Sequence, residues 1–328
     1  MNTCKKIISL LLVLTLLLGV LVACKDTGGT DPQEPQNPQE PSAHMLDGKR
    51  VLFIGNSFTY YGKCVLEKKQ SVRTQAERDN DKGYFYELCK QNGAEVSVTN
   101  WTWGGHTLED TFGGSCAADR GCNGVDHLAA LTNRSYDYVI IQEGSSVSEN
   151  IVSVIEEIMA IFKAANPDVK FLCIAQSNHH FQNNTTLLSA LKTLEEKGMT
   201  IVDWGKLVAD IVNGEVSAPG AAEIYNKNSF IVCKSAADGY HPNMLTGYIT
   251  ALFVYCAITG EKAEGQPYAF CDDKSVNSKF DTVDYCNDYY TYNNATTNFP
   301  EIFNSDADMK GIQQLIDTYL AAKAYRNY

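Results

Sequence analysis

The chain has 328 residues, of which 27 are basic and 39 acidic, and its formal net charge is −12. This acidic balance, without a basic patch, excludes nucleic acid as the expected partner and bears on solubility more than on fold. The length that remains beyond the first 45 residues suits one large domain.

Residues 1–23 are typical of a secretory signal. Two lysines precede an apolar run of 16 residues, Ile7 to Val22, which is shorter than the roughly 20 apolar residues of a membrane span. The run ends in Leu-Val-Ala-Cys, which resembles a bacterial lipobox, so we expect cleavage before Cys24 and acylation of its thiol. An ordinary signal peptide with an incidental cysteine is the alternative.

Residues 24–45 are expected to form a disordered tether rich in Pro and Gln. They contain almost no apolar side chain and therefore cannot bury enough surface to offset the entropy of ordering. The folded domain is expected at 46–328. We expect a monomer in the bacterial cell envelope that contacts the membrane only through its lipid anchor. The leaflet stays open, because an aspartate two residues after the lipidated cysteine, here Asp26, has a different meaning in different bacteria.

Short apolar runs alternate with stretches of helical periodicity along the domain. The runs predict strands at 50–54, 94–99, 136–142, 169–175 and 199–203, and the periodic stretches predict helices at 84–92, 150–165, 186–197, 244–259 and 308–325. Strands separated by such helices favour an α/β fold, with a mostly parallel sheet of five strands covered on both faces.

Three loops should open onto one edge of this sheet, because ligands bind at the carboxyl ends of parallel strands. Ser57 follows the first strand, 101–105 follow the second, and 142–146 follow the third. Ser57 lies at a glycine-containing turn, where its hydroxyl is exposed and the next helix can lend N–H groups to an oxyanion. A serine that merely caps a helix is the alternative.

Asp238 and His241 lie three residues apart, just before the apolar helix at 244–259. With this spacing the carboxylate can hold one ring nitrogen of the histidine while the other nitrogen faces a hydroxyl. A turn aspartate and an exposed loop histidine are the alternatives. A serine, a histidine base and a carboxylate together are the minimum set for acyl transfer through serine.

Three short motifs within residues 49–260 resemble those of the SGNH (GDSL-type) hydrolase family: Gly55-Asn56-Ser57, Gly105 and Asp238-x-x-His241. The resemblance implies a flavodoxin-like three-layer α/β/α sandwich and ester hydrolysis without a cofactor. It implies Ser57 as the nucleophile, His241 as the base and Asp238 as its partner. It also implies that the N–H groups of Ser57 and Gly105 bind the oxyanion, with Gly104 as the alternative to Gly105.

The third motif of the family is altered in this chain. The family has Gly-x-Asn-Asp, whereas this chain has Gln142-Glu143-Gly144-Ser145. Gln142 carries the same carboxamide one methylene further out, and we expect it to act as the third oxyanion donor, with Ser145 or Ser146 as alternatives. Loss of one such donor costs about 2.7–4 kcal/mol, so a poor substitute predicts a slow enzyme. Within this family, a bacterial subgroup of unassigned function resembles the chain in carrying Gln-Glu here.

Several side chains near these loops are candidates for substrate contact: Asn56, Trp103, His106, Ser145 and His179. We expect Trp101 and Trp103 to face opposite ways, one in the core and the other as a wall for a sugar or aryl ring. For His179 and its neighbour His180, a solvated loop position is the alternative. The stretch 272–298, rich in Tyr, Asn and Asp, predicts a flap over carbohydrate or a plain surface loop.

The chain has 11 cysteines, and close pairs can form disulfides outside the cytoplasm. Cys173, in an apolar strand, and Cys256, in an apolar helix, are predicted to be buried small hydrophobic residues. No cysteine or histidine cluster has the spacing of a zinc site, and so we expect no metal. The best candidate disulfide flanks a Gly-rich loop and the second flanks a polar loop: Cys116–Cys122 and Cys271–Cys286.

The leading interpretation is a lipid-anchored serine esterase that removes short acyl groups, such as acetyl, from carbohydrate. The altered third motif keeps a second interpretation open, a catalytically weak lipoprotein that binds glycan. A third is a lipase or thioesterase acting on longer acyl esters. A peptidase is least favoured, because nothing in the sequence marks a pocket for a side chain.

Overall fold

The computed structural model describes residues 44–60, 66, 79–112, 131, 134–144, 147, 149–176, 180, 184–217, 231–232, 241–242, 244–271 and 306–322. The expected signal, most of the tether and the stretch 272–298 lie outside these residues. Among the helices within them, none is long and apolar enough to cross a bilayer.

A sheet of five parallel strands forms the centre of the described part of the domain. The strands lie in the order β2-β1-β3-β4-β5, and every neighbouring pair is parallel. This is the flavodoxin-like order, so the predicted α/β fold with five parallel strands is confirmed. The strands are β1 (Arg50–Gly55), β2 (Ser97–Thr102), β3 (Tyr138–Gln142), β4 (Lys170–Ile174) and β5 (Thr200–Val202).

Helices lie between and after the strands. The α-helices whose bounds lie within the described residues are α1 (Ser57–Tyr60), α2 (Tyr84–Gln91), α3 (Leu108–Phe112), α4 (Ile151–Ala165), α5 (Thr185–Glu196), α6 (Trp204–Val212), α7 (Met244–Thr259) and α8 (Asp306–Ala322). Those predicted from periodicity are among them, whereas no bounds were predicted for α1, α3 and α6.

Alternation along the strands divides the core into two layers. Phe53 and Ile140 face the layer that contains α2, α6, α7 and α8, whereas Leu52 and Ile141 face the layer that contains α4 and α5. All four side chains are fully buried. Burial of each such side chain contributes about 1.5–3 kcal/mol, so the sheet is held from both faces.

The second strand begins three residues later than predicted. Gly93 has a φ of +82°, and the N–H of Ala94 donates to the Cys89 carbonyl at 2.9 Å, so this stretch closes the end of α2. Ser97 is the first residue of β2 to pair with β1. As a result Trp101 belongs to the strand and not to the loop after it.

The predicted bounds of the apolar helix α7 are confirmed. It is buried from Leu245 to Cys256, and Cys256 is a buried thiol, like Cys173 in β4. The prediction that these two cysteines are small core residues is therefore confirmed.

One residue of the expected tether packs against the domain. The ring of His44, which the sequence placed in the tether, stacks on Tyr255 of α7, and its Nε2 lies 2.9 Å from the Tyr255 hydroxyl. A side chain held in this way is part of the fold.

Candidate active site

Ser57 is the first residue of α1, directly after the turn that ends β1. The Asn56 side chain caps this short helix: its Oδ1 accepts a hydrogen bond from the Phe58 N–H at 3.1 Å. Gly55 is required below the turn, because a Cβ there would lie 2.4 Å from the Thr59 Oγ1. The backbone therefore fixes the position of the serine, which is half-buried.

The loop after β2 forms a tight turn from Trp103 to His106. The His106 N–H donates to the Trp103 carbonyl at 3.2 Å, and Gly105 has a φ of +74°, a backbone conformation that favours glycine. Gly105 is exposed. Among the described residues its N–H donates no hydrogen bond. An N–H group that binds an oxyanion is expected to have no partner before the substrate binds. The role of the Gly105 N–H as an oxyanion donor stays a prediction.

The serine turn and the glycine turn are bonded to each other. The Asn56 Nδ2 donates to the His106 carbonyl at 2.9 Å, and the Trp103 N–H donates to the Gly55 carbonyl at 3.0 Å. Asn56 was expected to touch substrate; it is instead buried, and both ends of its side chain bond the protein. It acts on the site by joining the two turns.

Gln142 lies beneath the serine turn at the end of β3. Its Oε1 accepts hydrogen bonds from the Thr59 hydroxyl at 2.6 Å and from the Asn56 N–H at 3.4 Å. Its Nε2 donates to the backbone carbonyl of Glu143. The carboxamide is thus engaged within the protein, and its use as a third oxyanion donor stays a prediction.

Glu143 is a buried carboxylate that the sequence analysis did not assign to the site. Its Oε1 accepts hydrogen bonds from the N–H groups of Leu108 at 3.1 Å and Gly144 at 2.5 Å. Within the described residues its Oε2 has no partner. Burial raises its pKa to about 7, the two N–H donors lower it, and Asp110 and Glu109 raise it further. An acidic residue at the buried end of a strand was the signal for it.

His241 lies in a short strand beside α1. The strands β6 (Ile231–Val232) and β7 (His241–Pro242) pair antiparallel, with Val232 opposite His241. Cα atoms of α1 and β7 lie within 8 Å of one another. The backbone that carries the predicted base therefore runs beside the helix that carries the predicted nucleophile.

Asp238 lies outside the described residues, so its predicted bond to His241 stays a prediction. The same applies to Ser145, Ser146 and His179 as substrate contacts. Cys24 and both candidate disulfides, Cys116–Cys122 and Cys271–Cys286, also involve residues outside them.

The expectation that Trp101 and Trp103 face opposite ways is wrong. Residues two apart along an extended chain share a face. The two indoles pack edge to face, with centroids 5.8 Å apart, in one core layer. Trp103 is 2% exposed. It is therefore a core residue and not a wall of the substrate cleft.

The two histidines that the structure describes near these loops are both held by the protein. His106 is buried, and its Nδ1 lies 3.1 Å from the Gly104 carbonyl, which gives no support to a substrate contact. The alternative of a solvated His180 is wrong. Its Nε2 lies 2.9 Å from the Asp203 carboxylate, and the two side chains are 6% and 3% exposed.

A cavity of about 820 Å³ that the described residues line contains none of the residues of the serine site. It lies along β5, with Ile201, Phe253 and Leu320 in its lining. Its size alone gives no reason to place the chemistry there.

No family model and no curated protein matches the chain. Solved structures with similarity to it include an acetylxylan esterase from Geobacillus stearothermophilus, at 16% identity and a TM-score of 0.42 over 66% of this chain and 96% of that chain. Another is a carbohydrate esterase family 2 enzyme with a carbohydrate binding domain from Corynascus thermopiles (Myceliophthora fergusii), at 18% identity and a TM-score of 0.40 over 68% of each chain. A third is an active site mutant of a family two carbohydrate esterase from Clostridium thermocellum, at 13% identity and a TM-score of 0.39 over 65% of this chain and 64% of that chain. Similarity this low establishes no shared chemistry.

Proposed function

We propose that the protein is an exported, lipid-anchored serine esterase that removes short acyl groups, such as acetyl, from carbohydrate. The observation that carries the proposal is the joined pair of turns. Ser57 begins a helix after β1, and Gly105, an exposed residue whose N–H donates to no described residue, belongs to a turn that Asn56 ties to the serine turn. A nucleophile and an unused N–H donor held in fixed relation are what acyl transfer requires.

The proposed reaction has two halves. The Ser57 Oγ attacks the ester carbonyl carbon and its proton passes to His241, while the N–H groups of Ser57 and Gly105 bind the oxyanion. Collapse of the tetrahedral intermediate breaks the bond to the alcohol, which leaves with the proton from His241. Water then attacks the acyl-enzyme with His241 again as base, and the acid leaves as Ser57 recovers its proton. Asp238 orients the histidine.

The acyl and alcohol parts of the proposed substrate follow from the expected export of the chain and from its composition. The expected export of the chain places it where polysaccharides are met, and the stretch 272–298 is rich in side chains that contact sugars. The sequence shows no apolar segment of the kind that covers long acyl chains in lipases. We therefore expect acetyl esters to be hydrolysed faster than long-chain esters.

The test is hydrolysis of p-nitrophenyl acetate, butyrate and decanoate by the mature protein. Ser57→Ala should lower kcat by about 10³-fold or more, because only binding and oxyanion contacts remain. Ser153→Ala is the matched control, since Ser153 is an exposed serine on α4. Equal rates for the wild type and Ser57→Ala would remove the esterase proposal. Faster hydrolysis of decanoate than acetate would replace it with a lipase or thioesterase.

One observation favours the second candidate, glycan binding with little catalysis. Gln142 donates from its amide to the Glu143 carbonyl, so the third oxyanion donor is otherwise engaged in this arrangement. If acetylated xylo-oligosaccharide binds equally to the wild type and Ser57→Ala, and neither releases acetate, glycan binding becomes the function.

A further inference from the structure

The loop that carries Gly105 has two anchors. The first is the serine turn, where the Trp103 N–H donates to the Gly55 carbonyl at 3.0 Å and the His106 carbonyl accepts from the Asn56 Nδ2 at 2.9 Å. The second is Glu143, whose Oε1 accepts from the Leu108 N–H at 3.1 Å. Along the chain, Gly105 therefore lies between Trp103, bonded to the serine turn, and Leu108, bonded to the residue that follows β3.

The second anchor is unusual because it is a carboxylate with almost no access to solvent. Glu143 is 1% exposed. A buried carboxylate is costly unless it is well bonded, so its presence indicates a task that an apolar side chain would not perform. Its Oε1 receives N–H groups from the loop after β2 and from the loop after β3, by way of Leu108 and Gly144. One carboxylate thus joins two of the loops at the carboxyl edge of the sheet.

The backbone of Glu143 is also fixed. Its carbonyl accepts hydrogen bonds from the Nε2 of Gln142 and from the Nε2 of Gln176 at 3.2 Å. Gln142 in turn accepts from the Thr59 hydroxyl in α1. A continuous set of buried hydrogen bonds therefore runs from the serine helix through β3 to the glycine loop.

We propose that Glu143 is a positioning residue for the reaction, and that its buried carboxylate holds the loop of Gly105 at a fixed distance from Ser57. This inference rests on the proposed esterase function. It assigns Glu143 no contact with substrate and no part in proton transfer. Its effect is to keep the Gly105 N–H where the oxyanion forms, because a donor displaced by about 1 Å loses much of its stabilisation.

The experiment compares Glu143→Ala and Glu143→Gln with the wild type. In Glu143→Gln the side-chain oxygen still accepts from Leu108 and Gly144, and the amide nitrogen takes the place of the unpartnered Oε2. Glu143→Ala removes the anchor. The matched control is Glu149→Gln, an exposed glutamate a few residues further along the chain.

Two readouts separate positioning from general stability. In Glu143→Ala, amide hydrogen exchange of the peptide 104–112 should rise about tenfold or more, while exchange in β1 stays as in the wild type. For p-nitrophenyl acetate, kcat should fall about tenfold or more with KM changed by less than about threefold. Glu143→Gln should keep both the exchange of this peptide and kcat close to the wild-type values, and Glu149→Gln should change neither quantity.

Exchange at 104–112 that is unchanged in Glu143→Ala would overturn the inference, whatever happens to kcat. Raised exchange with wild-type kcat would overturn it too, because the loop would then not need its anchor for the reaction. The exchange measurement is repeated in the Ser57→Ala background. If the wild type shows no Ser57-dependent hydrolysis, the proposed function fails, and exchange in that background still shows whether Glu143 holds the loop.

Discussion

At Ser57, the backbone of the turn sets the position of the nucleophile, and four buried polar side chains set the position of the turn. Asn56, Thr59, Gln142 and Glu143 are each no more than 2% exposed. Buried polar groups of this kind stabilise a fold only when they are bonded, and their bonds run to one another and to the loop of Gly105. The polar core under the site is therefore what holds the reacting groups in place.

A first prediction concerns Thr59. Thr59→Val removes the hydroxyl that Gln142 Oε1 accepts at 2.6 Å. It should lower the free energy of unfolding by about 1–3 kcal/mol, because a buried acceptor loses its best donor. Thr59→Ser keeps the hydroxyl and should stay within about 1 kcal/mol of the wild type. Urea unfolding measures both, and a loss in Thr59→Ser with none in Thr59→Val would show that the methyl group, not the bond, matters.

A second prediction concerns the pH dependence that Glu143 gives to stability. Burial raises its pKa from 4.5 to about 7, with Glu109 and Asp110 of α3 nearby and the Cys173 thiol close in β4. The folded protein thus binds a proton that the unfolded chain releases. The stability from this group is complete below pH 4.5 and is lost as pH rises through about 7.

As the pH rises from 5 to 8, the wild type should therefore lose free energy of unfolding that Glu143→Gln keeps. The difference between the two proteins should change by about 3 kcal/mol at most, at about 1.4 kcal/mol per pKa unit. Urea unfolding at the two pH values measures this difference. Glu149→Gln, the exposed control, should show no such change. A difference between Glu143→Gln and the wild type that is the same at both pH values would contradict the raised pKa.

At the scale of the elements, the two tryptophans at the carboxyl end of β2 lie in the core, although one of them was predicted to line the substrate site. Trp101 and Trp103 pack edge to face in the layer below α4. The third prediction is that Trp103→Phe lowers the free energy of unfolding by about 1–3 kcal/mol and leaves KM for p-nitrophenyl acetate within about twofold. Trp101→Phe is the control and should behave alike. A tenfold rise in KM for Trp103→Phe alone would contradict this and indicate that Trp103 contacts the substrate.

Long elements were predictable from the sequence because their periodicity repeats. The bounds of α7 were predicted to the residue, since Gly260, with a φ of +73°, ends an apolar stretch. The helices α1 and α3 were not, because four or five residues are too few to show a period. Helix α6 was missed because Asp203, which caps it by accepting from the Lys206 N–H at 3.0 Å, was taken as the end of β5.

The candidate site was predictable only where a motif marked it. Ser57 and Gly105 were found because turn residues follow strands in a parallel sheet. Thr59 carries no such mark, and for Glu143 the motif after β3 marks the position but not the role. Both roles come from contacts across 35 to 83 residues of sequence, which a local pattern does not contain. The Asn56 side chain likewise joins two turns through a contact with His106 that no local pattern predicts.

At the scale of the whole molecule, His44, near the end of the expected tether, packs its ring on Tyr255 of α7 and lies 3.2 Å from Glu261. The fourth prediction concerns what lies before it. Cys24→Ala should abolish incorporation of radiolabelled palmitate into the protein, because the thiol that is acylated is lost. Cys4→Ala, within the expected signal, is the control, and labelling of Cys24→Ala at the level of the wild type would contradict the lipid anchor.

The central claim is that Ser57 is an activated nucleophile. The most direct measurement is labelling of the mature protein by a fluorophosphonate, followed by peptide mapping and mass spectrometry. We predict one label per chain, located on Ser57, absent from Ser57→Ala and strongly reduced in His241→Ala, with Ser153→Ala labelled like the wild type. An unlabelled Ser57 in a folded protein that binds acetylated xylo-oligosaccharide would contradict the esterase and leave glycan binding as the function.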